Sequence, residues 1–161
     1  MKIAILGYAG SGKTYLSDYI AKNNNIPVLH LDDIKWDKEW KPIDDSVVLP
    51  AVADFMNNDD WIIDGYYTYL LLEERLESAD KIILLQLPRL TCFCRALKRS
   101  KTRKAAGYVN DMNSWFIKFL LFGCRDKKRR TYYEEIAKKY KNKTVVLKTK
   151  RQVDDFMRLY R

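Results

Sequence analysis

A four-residue apolar run, Ile3 to Leu6, leads straight into Gly7-Tyr8-Ala9-Gly10-Ser11-Gly12-Lys13-Thr14, and three of the chain's six glycines fall in that octet. No other stretch constrains the fold as tightly. A short apolar run closed by glycine reads as a buried strand, and Leu16, Tyr19 and Ile20 recur at helical spacing over residues 14–22. Strand therefore passes to helix through a loop nearly free of bulk. The pattern G-x-x-x-x-G-K-[ST] in that setting gathers main-chain N–H groups around an anion, and the helix start turns its positive dipole end toward the same point. Gly7, Gly10 and Gly12 let the amides curl round phosphate oxygens. Lys13 supplies a point charge to the outer phosphates, and the Thr14 hydroxyl is a ligand for Mg²⁺. A chance match in 161 residues is on the order of 1% from average residue usage.

The remainder of the chain repeats the alternation. Strands are expected at 26–32, 61–64, 81–87 and 144–148, and helices at 14–22, 46–58, 69–79, 89–101, 112–140 and 151–160. Pro50 is expected in the first turn of its helix or just before a later start, and Gly123 near a break in the long helical stretch. Residues 102–111, around Gly107, read as a loop. Five short strands alternating with helices imply βαβ units, hence an α/β fold whose parallel sheet is covered on both faces in three layers. Such sheets bind ligands at the carboxyl ends of their strands.

Composition adds limits. The length suits one domain, 1–161, and 47% apolar residues suffice for a core. No stretch has the roughly 18 apolar residues of a membrane span, and residues 3–6 are too brief for a signal-peptide core, so a cytoplasmic protein with no membrane partner is expected. Cys92, Cys94 and Cys124 lack metal or redox spacing and read as reduced and structural, and a single histidine, His30, excludes a multi-histidine metal centre. The net charge of +9 is unevenly divided. Residues 1–90 hold 9 Lys and Arg against 15 Asp and Glu (−6), whereas residues 91–161 hold 21 against 6 (+15). A basic half of this kind suits either nucleic acid or a polyphosphate.

The strand ends supply further candidates. Asp32, at the end of the second strand, is placed to orient an acceptor hydroxyl, take its proton, hold Mg²⁺ through water, or cap a following helix. Asp64 closes Trp61-Ile62-Ile63 and suits a carboxylate that fixes the metal's water shell, or a turn before Gly65. Arg95 and Arg99 lie four apart on one expected helix, and Arg125, Arg129 and Arg130 form a second basic set; at least one from each is expected to point inward and clamp phosphate charge. Tyr66, Tyr67, Tyr69, Trp36 and Trp40 lie near strand ends, where they stack on a base, wall an acceptor pocket, or pack on the sheet.

With Gly7 to Thr14, Leu29 to Trp36, Trp61 to Tyr67 and Val145 to Phe156 in place, the chain resembles the bacterial DNA topology modulation proteins, small P-loop proteins similar to adenylate and shikimate kinases. The resemblance runs nearly end to end. It implies a three-layer P-loop NTPase fold with sheet order 2-3-1-4-5 and a short helical lid at about residues 100–130. It also implies ATP bound by Gly7, Tyr8, Ala9, Gly10, Ser11, Gly12, Lys13, Thr14 and Tyr15, with Arg95 by the adenine. Mg²⁺ would be held by Thr14 and, through water, Asp64. Catalysis would fall to Lys13, Asp32, Arg99 and a lid arginine, Arg125 or Arg129. The chain departs from the pattern at Tyr66, where asparagine is expected, and at Gln86, where the fourth strand often ends in aspartate, and it lacks the Asp-Gly-Phe-Pro-Arg motif of adenylate kinases.

The reading favoured by the sequence is a kinase moving the γ-phosphate of Mg-ATP to a small-molecule acceptor, as a monomer or homodimer. The second is a nucleic-acid-associated NTPase or nucleotide-gated regulator using the basic half; the third is nucleotide binding without catalysis.

Overall fold

The computed structural model describes residues 1–37, 39, 41–105 and 113–161, so Trp40 and Gly107 lie outside the described residues. Five strands, β1 (Lys2–Gly7), β2 (Val28–His30), β3 (Trp61–Asp64), β4 (Lys81–Leu85) and β5 (Thr144–Leu147), form one sheet of order β2-β3-β1-β4-β5. All four pairings are parallel. The sequence expectation of an α/β fold with a 2-3-1-4-5 sheet therefore holds.

Strand β1 is central because its residues are apolar on both faces: Ile3, Ala4, Ile5 and Leu6 are fully buried. Ile3 and Ile5 face one core layer with Leu16 and Ile20 of α1 (Lys13–Asn24) and Val153 and Phe156 of α8 (Lys150–Met157). Ala4 and Leu6 face the other. There Val48 and Val52 of α3 (Asp45–Met56), Leu72 and Leu76 of α4 (Leu72–Ser78), and Tyr133 and Ile136 of α7 (Lys127–Lys139) complete the layer. Each such side chain contributes about 1.5–3 kcal/mol on burial, which is why a short strand can anchor two helix layers. Among the described residues no helix is long and apolar enough to cross a membrane.

Local chemistry sets the helix ends. Asp44, Asn113 and Asp126 cap α3, α6 (Ser114–Leu121) and α7, each side chain accepting from a main-chain N–H. Thr149 and Gln152 form a capping box on α8. The expected break near Gly123 occurs: α6 ends at Leu121, a single 3₁₀ turn spans Gly123–Arg125, and α7 begins at Lys127.

Four expectations are corrected. The second strand stops at His30, and Leu31–Lys35 form a short helix, α2, so Asp32 lies in a first turn and not on a strand end. The helix expected over 69–79 begins only at Leu72, because Leu71 adopts a left-handed conformation (φ 52°). Pro50 sits inside α3, well past the first turn, where its missing N–H interrupts the helical ladder; burial of Val48 and Val52 keeps the helix docked. The remaining helix, α5 (Arg89–Ala105), extends into the segment read as a loop.

Candidate active site

Register places the site. Ile5 of β1 pairs with Asp64, which in turn pairs with His30, while Gly7 pairs with Leu85 of β4. The glycine loop, Asp64 and the start of α2 therefore emerge side by side at the carboxyl edge of the sheet, with α5 emerging from β4 on the loop's other flank.

The loop is tightly held. A Cβ on Gly7 would come within 2.6 Å of the Leu85 carbonyl oxygen, and one on Gly10 within 2.4 Å of the Cys92 carbonyl oxygen. Gly10 also has φ +74°, so its lack of a side chain meets both a packing and a conformational demand. The opening turn of α5 thus presses on the loop from outside. Between the end of β1 and the start of α1, the N–H groups of Tyr8 and Ser11 donate to backbone carbonyls, those of Leu85 and Tyr8 respectively. The amides of Gly10, Gly12, Lys13 and Thr14 meet no acceptor among the described residues, and the buried Ser11 Oγ is likewise without a partner. Donors left unmatched around a side-chain-free loop at a helix start fit a phosphate chain. Lys13 Nζ reaches back to the Tyr8 carbonyl oxygen at 3.4 Å and so lies over the loop. Thr14 and Tyr15 are exposed.

Arginines brace the loop from two directions. Arg95 on α5 donates to the Ser11 carbonyl oxygen at 2.9 Å, whereas Arg99, one turn further on, is exposed. Arg125 donates to the Leu87 carbonyl oxygen at 2.6 Å and stacks its guanidinium 4.0 Å from the centre of the Tyr8 ring. Arg129 lies 4.3 Å from the centre of the Tyr66 ring. Buried Tyr133 joins the two walls, its ring centre 5.4 Å from that of Tyr8 and 5.5 Å from that of Tyr66. Burial pushes the Tyr8, Tyr66 and Tyr133 phenols up, so all three stay neutral. Of the two arginine sets, Arg95 and Arg125 are the members that donate to carbonyls in and beside the loop.

Asp64 is buried and multiply bonded. Its Oδ2 lies 2.9 Å from Ser17 Oγ and accepts from His30 Nδ1 at 3.1 Å. No hydrogen bond joins it to Thr14; Ser17, whose Oγ is also 2.9 Å from the Thr14 carbonyl oxygen, links the carboxylate to that turn. His30 Nε2 donates to Asp18 at 3.0 Å. With a carboxylate on each ring nitrogen, both must be donors, and the imidazole is cationic: the Asp64 hydrogen bond above all holds its pKa up at about 9. His30 and Ser17 were not assigned roles from the sequence. The signal for His30 was its position at a strand's carboxyl end; for Ser17, its place one turn beyond Thr14 on the buried side of α1.

Asp32 is exposed, and its Oδ1 accepts from the Tyr67 hydroxyl at 2.5 Å; that hydroxyl accepts in turn from Trp36 Nε1 at 2.9 Å. Burial and the neighbouring carboxylate push the Tyr67 phenol up, keeping it a donor. The loop carrying Tyr66, Tyr67 and Tyr69 is pinned from beneath by Arg75. This fully buried guanidinium has no carboxylate partner among the described residues and donates to the carbonyl oxygens of Leu70 (2.9 Å), Tyr67 (3.0 Å) and Gly65 (3.3 Å). Burial brings its pKa down to about 10, which still leaves it charged at neutral pH. Lys35, also buried, donates to the Ile43 carbonyl oxygen and to Asp45, both at 2.6 Å. Arg75 and Lys35 were invisible to motif reasoning, because nothing in their neighbours' identities marks them as buried.

The same architecture recurs in solved kinases. A gluconokinase from Sinorhizobium meliloti superposes with a TM-score of 0.53 at 16% identity, over 99% of this chain and 88% of that one. A shikimate kinase from Bacteroides thetaiotaomicron gives 0.53 at 17% over 99% and 95%, and one from Aquifex aeolicus gives 0.52 at 16% over 99% and 92%. No family model and no curated protein sequence matches the chain. At these identities the likeness is one of fold: the chain has the three-layer P-loop kinase architecture.

Proposed function

We propose that this chain is a phosphotransferase of the DNA topology modulation type, moving the γ-phosphoryl group of Mg-ATP to a small-molecule acceptor in the cytoplasm. The observation that carries the reading is the glycine loop, with the amides of Gly10, Gly12, Lys13 and Thr14 meeting no acceptor among the described residues, Lys13 lying over it, and Asp64 and Asp32 emerging beside it at the sheet's carboxyl edge. The kinase architecture supports it.

In this reading the amides from Ala9 to Tyr15 hold the β- and γ-phosphates, and Lys13 follows the charge that shifts toward the leaving oxygen. Mg²⁺ would be held by the Thr14 hydroxyl and, through water, by Asp64, and when bound it neutralises phosphate charge. Ser17 and His30 fix the Asp64 carboxylate in one orientation. Arg95 braces the loop beside the adenine. Arg99, Arg125 and Arg129 supply the remaining positive charge, with residues of about 100–130 closing over the nucleotide within a single 1–161 unit. In this reading ATP would lie over β1 and β4 and the acceptor over β3 and α2.

The test is ADP release against a panel of nucleosides, nucleoside monophosphates and polyols. Acceptor-stimulated turnover, abolished in Lys13→Ala while the circular dichroism spectrum is retained, is the expected result. Absence of acceptor-stimulated turnover in protein that binds ATP would contradict the reading. A second reading, a nucleic-acid-associated NTPase, is favoured by the +15 charge of residues 91–161.

A further inference from the structure

We infer that the side chain of Tyr8 is a positioning residue for Arg125: its ring fixes that guanidinium beside the glycine loop, where the charge adds to the grip on the nucleotide's phosphates. The inference rests on the phosphotransferase reading only as far as nucleotide binding. In G-x-x-x-x-G-K-[ST] the glycines, the lysine and the hydroxyl carry the chemistry, and the position after the first glycine is open to any residue. Here it holds a tyrosine that is only 5% exposed. A buried ring in a loop otherwise nearly free of bulk calls for a reason, and its neighbours supply one. Tyr133 packs against it, and the Arg125 guanidinium lies 4.0 Å from its centre.

Arg125 is held at three points. Its Nη2 donates to the Leu87 carbonyl oxygen at 2.6 Å and to Cys92 Sγ at 3.1 Å, and its face meets the Tyr8 ring. Leu87 follows β4, and the Cys92 carbonyl oxygen is the atom that a Cβ on Gly10 would strike. All three contacts therefore belong to the loop or to the segment that presses on it. The choice of an aromatic partner matters. A carboxylate in the place of Tyr8 would hold the guanidinium equally well but would cancel its charge, whereas a ring face attracts a cation and leaves the charge intact. Burial pushes the Tyr8 phenol up against the opposing pull of Arg125, so no phenolate forms to neutralise it. Arg129 makes the matching contact with Tyr66, but Tyr66 lies in the loop after β3. Of the two arginines, Arg125 is thus the one attached to the nucleotide loop. A long side chain left to swing in water would spread its charge over many rotamers and lose it to screening; one fixed on Tyr8 acts at a single place.

Calorimetric titration of Mg-ATP into the full chain tests this without any acceptor. Tyr8→Phe is the starting point of a series in which fluorine atoms are added to the ring at position 8, keeping its shape while draining the negative charge from its face. Affinity is expected to fall stepwise with fluorine number, by at least about fivefold across the series, and the same series built on Arg125→Met is expected to be flat. A purely structural ring would not respond to fluorination. Tyr8→Leu and Arg125→Met, each checked for fold by circular dichroism, should each weaken binding, and the double variant should be within about twofold of the weaker single variant. The fluorinated series stands by itself if Tyr8→Leu fails to fold. Affinity that stays level or rises with fluorination, a fall of equal size in the Arg125→Met background, or single effects that multiply in the double variant overturns the inference. Each of these leaves the phosphotransferase reading intact, because the wild type still binds Mg-ATP. No binding by the wild type overturns both.

Discussion

A protonated histidine at neutral pH is the sharpest electrostatic consequence of the site at the scale of single residues. His30 is bracketed by Asp64 and Asp18, and its pKa stands at about 9 against 6.5 for the free side chain. A folded-state pKa above the unfolded value contributes stability that is full below pH 6.5 and lost as pH rises toward 9. The midpoint of urea unfolding should therefore fall between pH 6.5 and 9 in the wild type, and His30→Gln should flatten that slope. A His30→Gln profile parallel to the wild type would show that the bracket does not act. At this scale the sequence was most informative where a residue's role follows from neighbours along the chain. Gly7 to Thr14 could be read because the motif is contiguous. The Asp64–His30–Asp18 chain could not, since it joins α1, β2 and β3 through a register that no local spacing reveals.

Elements are positioned here by groups that donate to backbone. The loop between β3 and α4 carries Tyr66 and Tyr67, and Arg75 satisfies three of its carbonyls from inside the fold. Arg75→Met keeps much of the apolar stem but leaves those carbonyls without their donor. At about 1–3 kcal/mol per buried unsatisfied group, a loss of about 3 kcal/mol or more is expected in chemical denaturation. A loss below about 1 kcal/mol would mean water replaces the guanidinium. The glycine loop makes a second prediction: Gly10→Ala, driven against the Cys92 carbonyl at positive φ, should reduce Mg-ATP affinity at least about tenfold, as read by calorimetry. Element existence and order were legible from alternation, whereas ends were less so. Residues 26–32 are apolar enough for a strand, but the Asp32-Asp33 pair suits a helix's first turn, and the chain turns at Leu31. Leu71, in the left-handed region, delays α4 for a reason that propensity does not encode.

Over the whole molecule, the division between an acidic first half and a basic second half follows the fold. Residues 1–90 supply β1 through β4 and the acidic acceptor wall, while α5, α6, α7 and α8 bring most of the Lys and Arg. An arrangement that receives ATP predicts binding to duplex DNA that is weak and sequence-independent. The alternative reading predicts affinity tight at low salt and falling steeply as salt rises, which filter binding across 50–200 mM salt distinguishes. Closure over the nucleotide predicts slower proteolysis within residues 100–130 when a nonhydrolysable ATP analogue is added, and equal rates would argue against a lid. The account as a whole rests on one event, the gripping of a triphosphate by the main chain between Gly7 and Tyr15. Calorimetric titration of Mg-ATP into the wild type and Lys13→Ala measures it directly: one saturable site in the wild type, weakened at least about tenfold in the variant, is the expected result, and no heat in the wild type, or equal affinity in both, would contradict it.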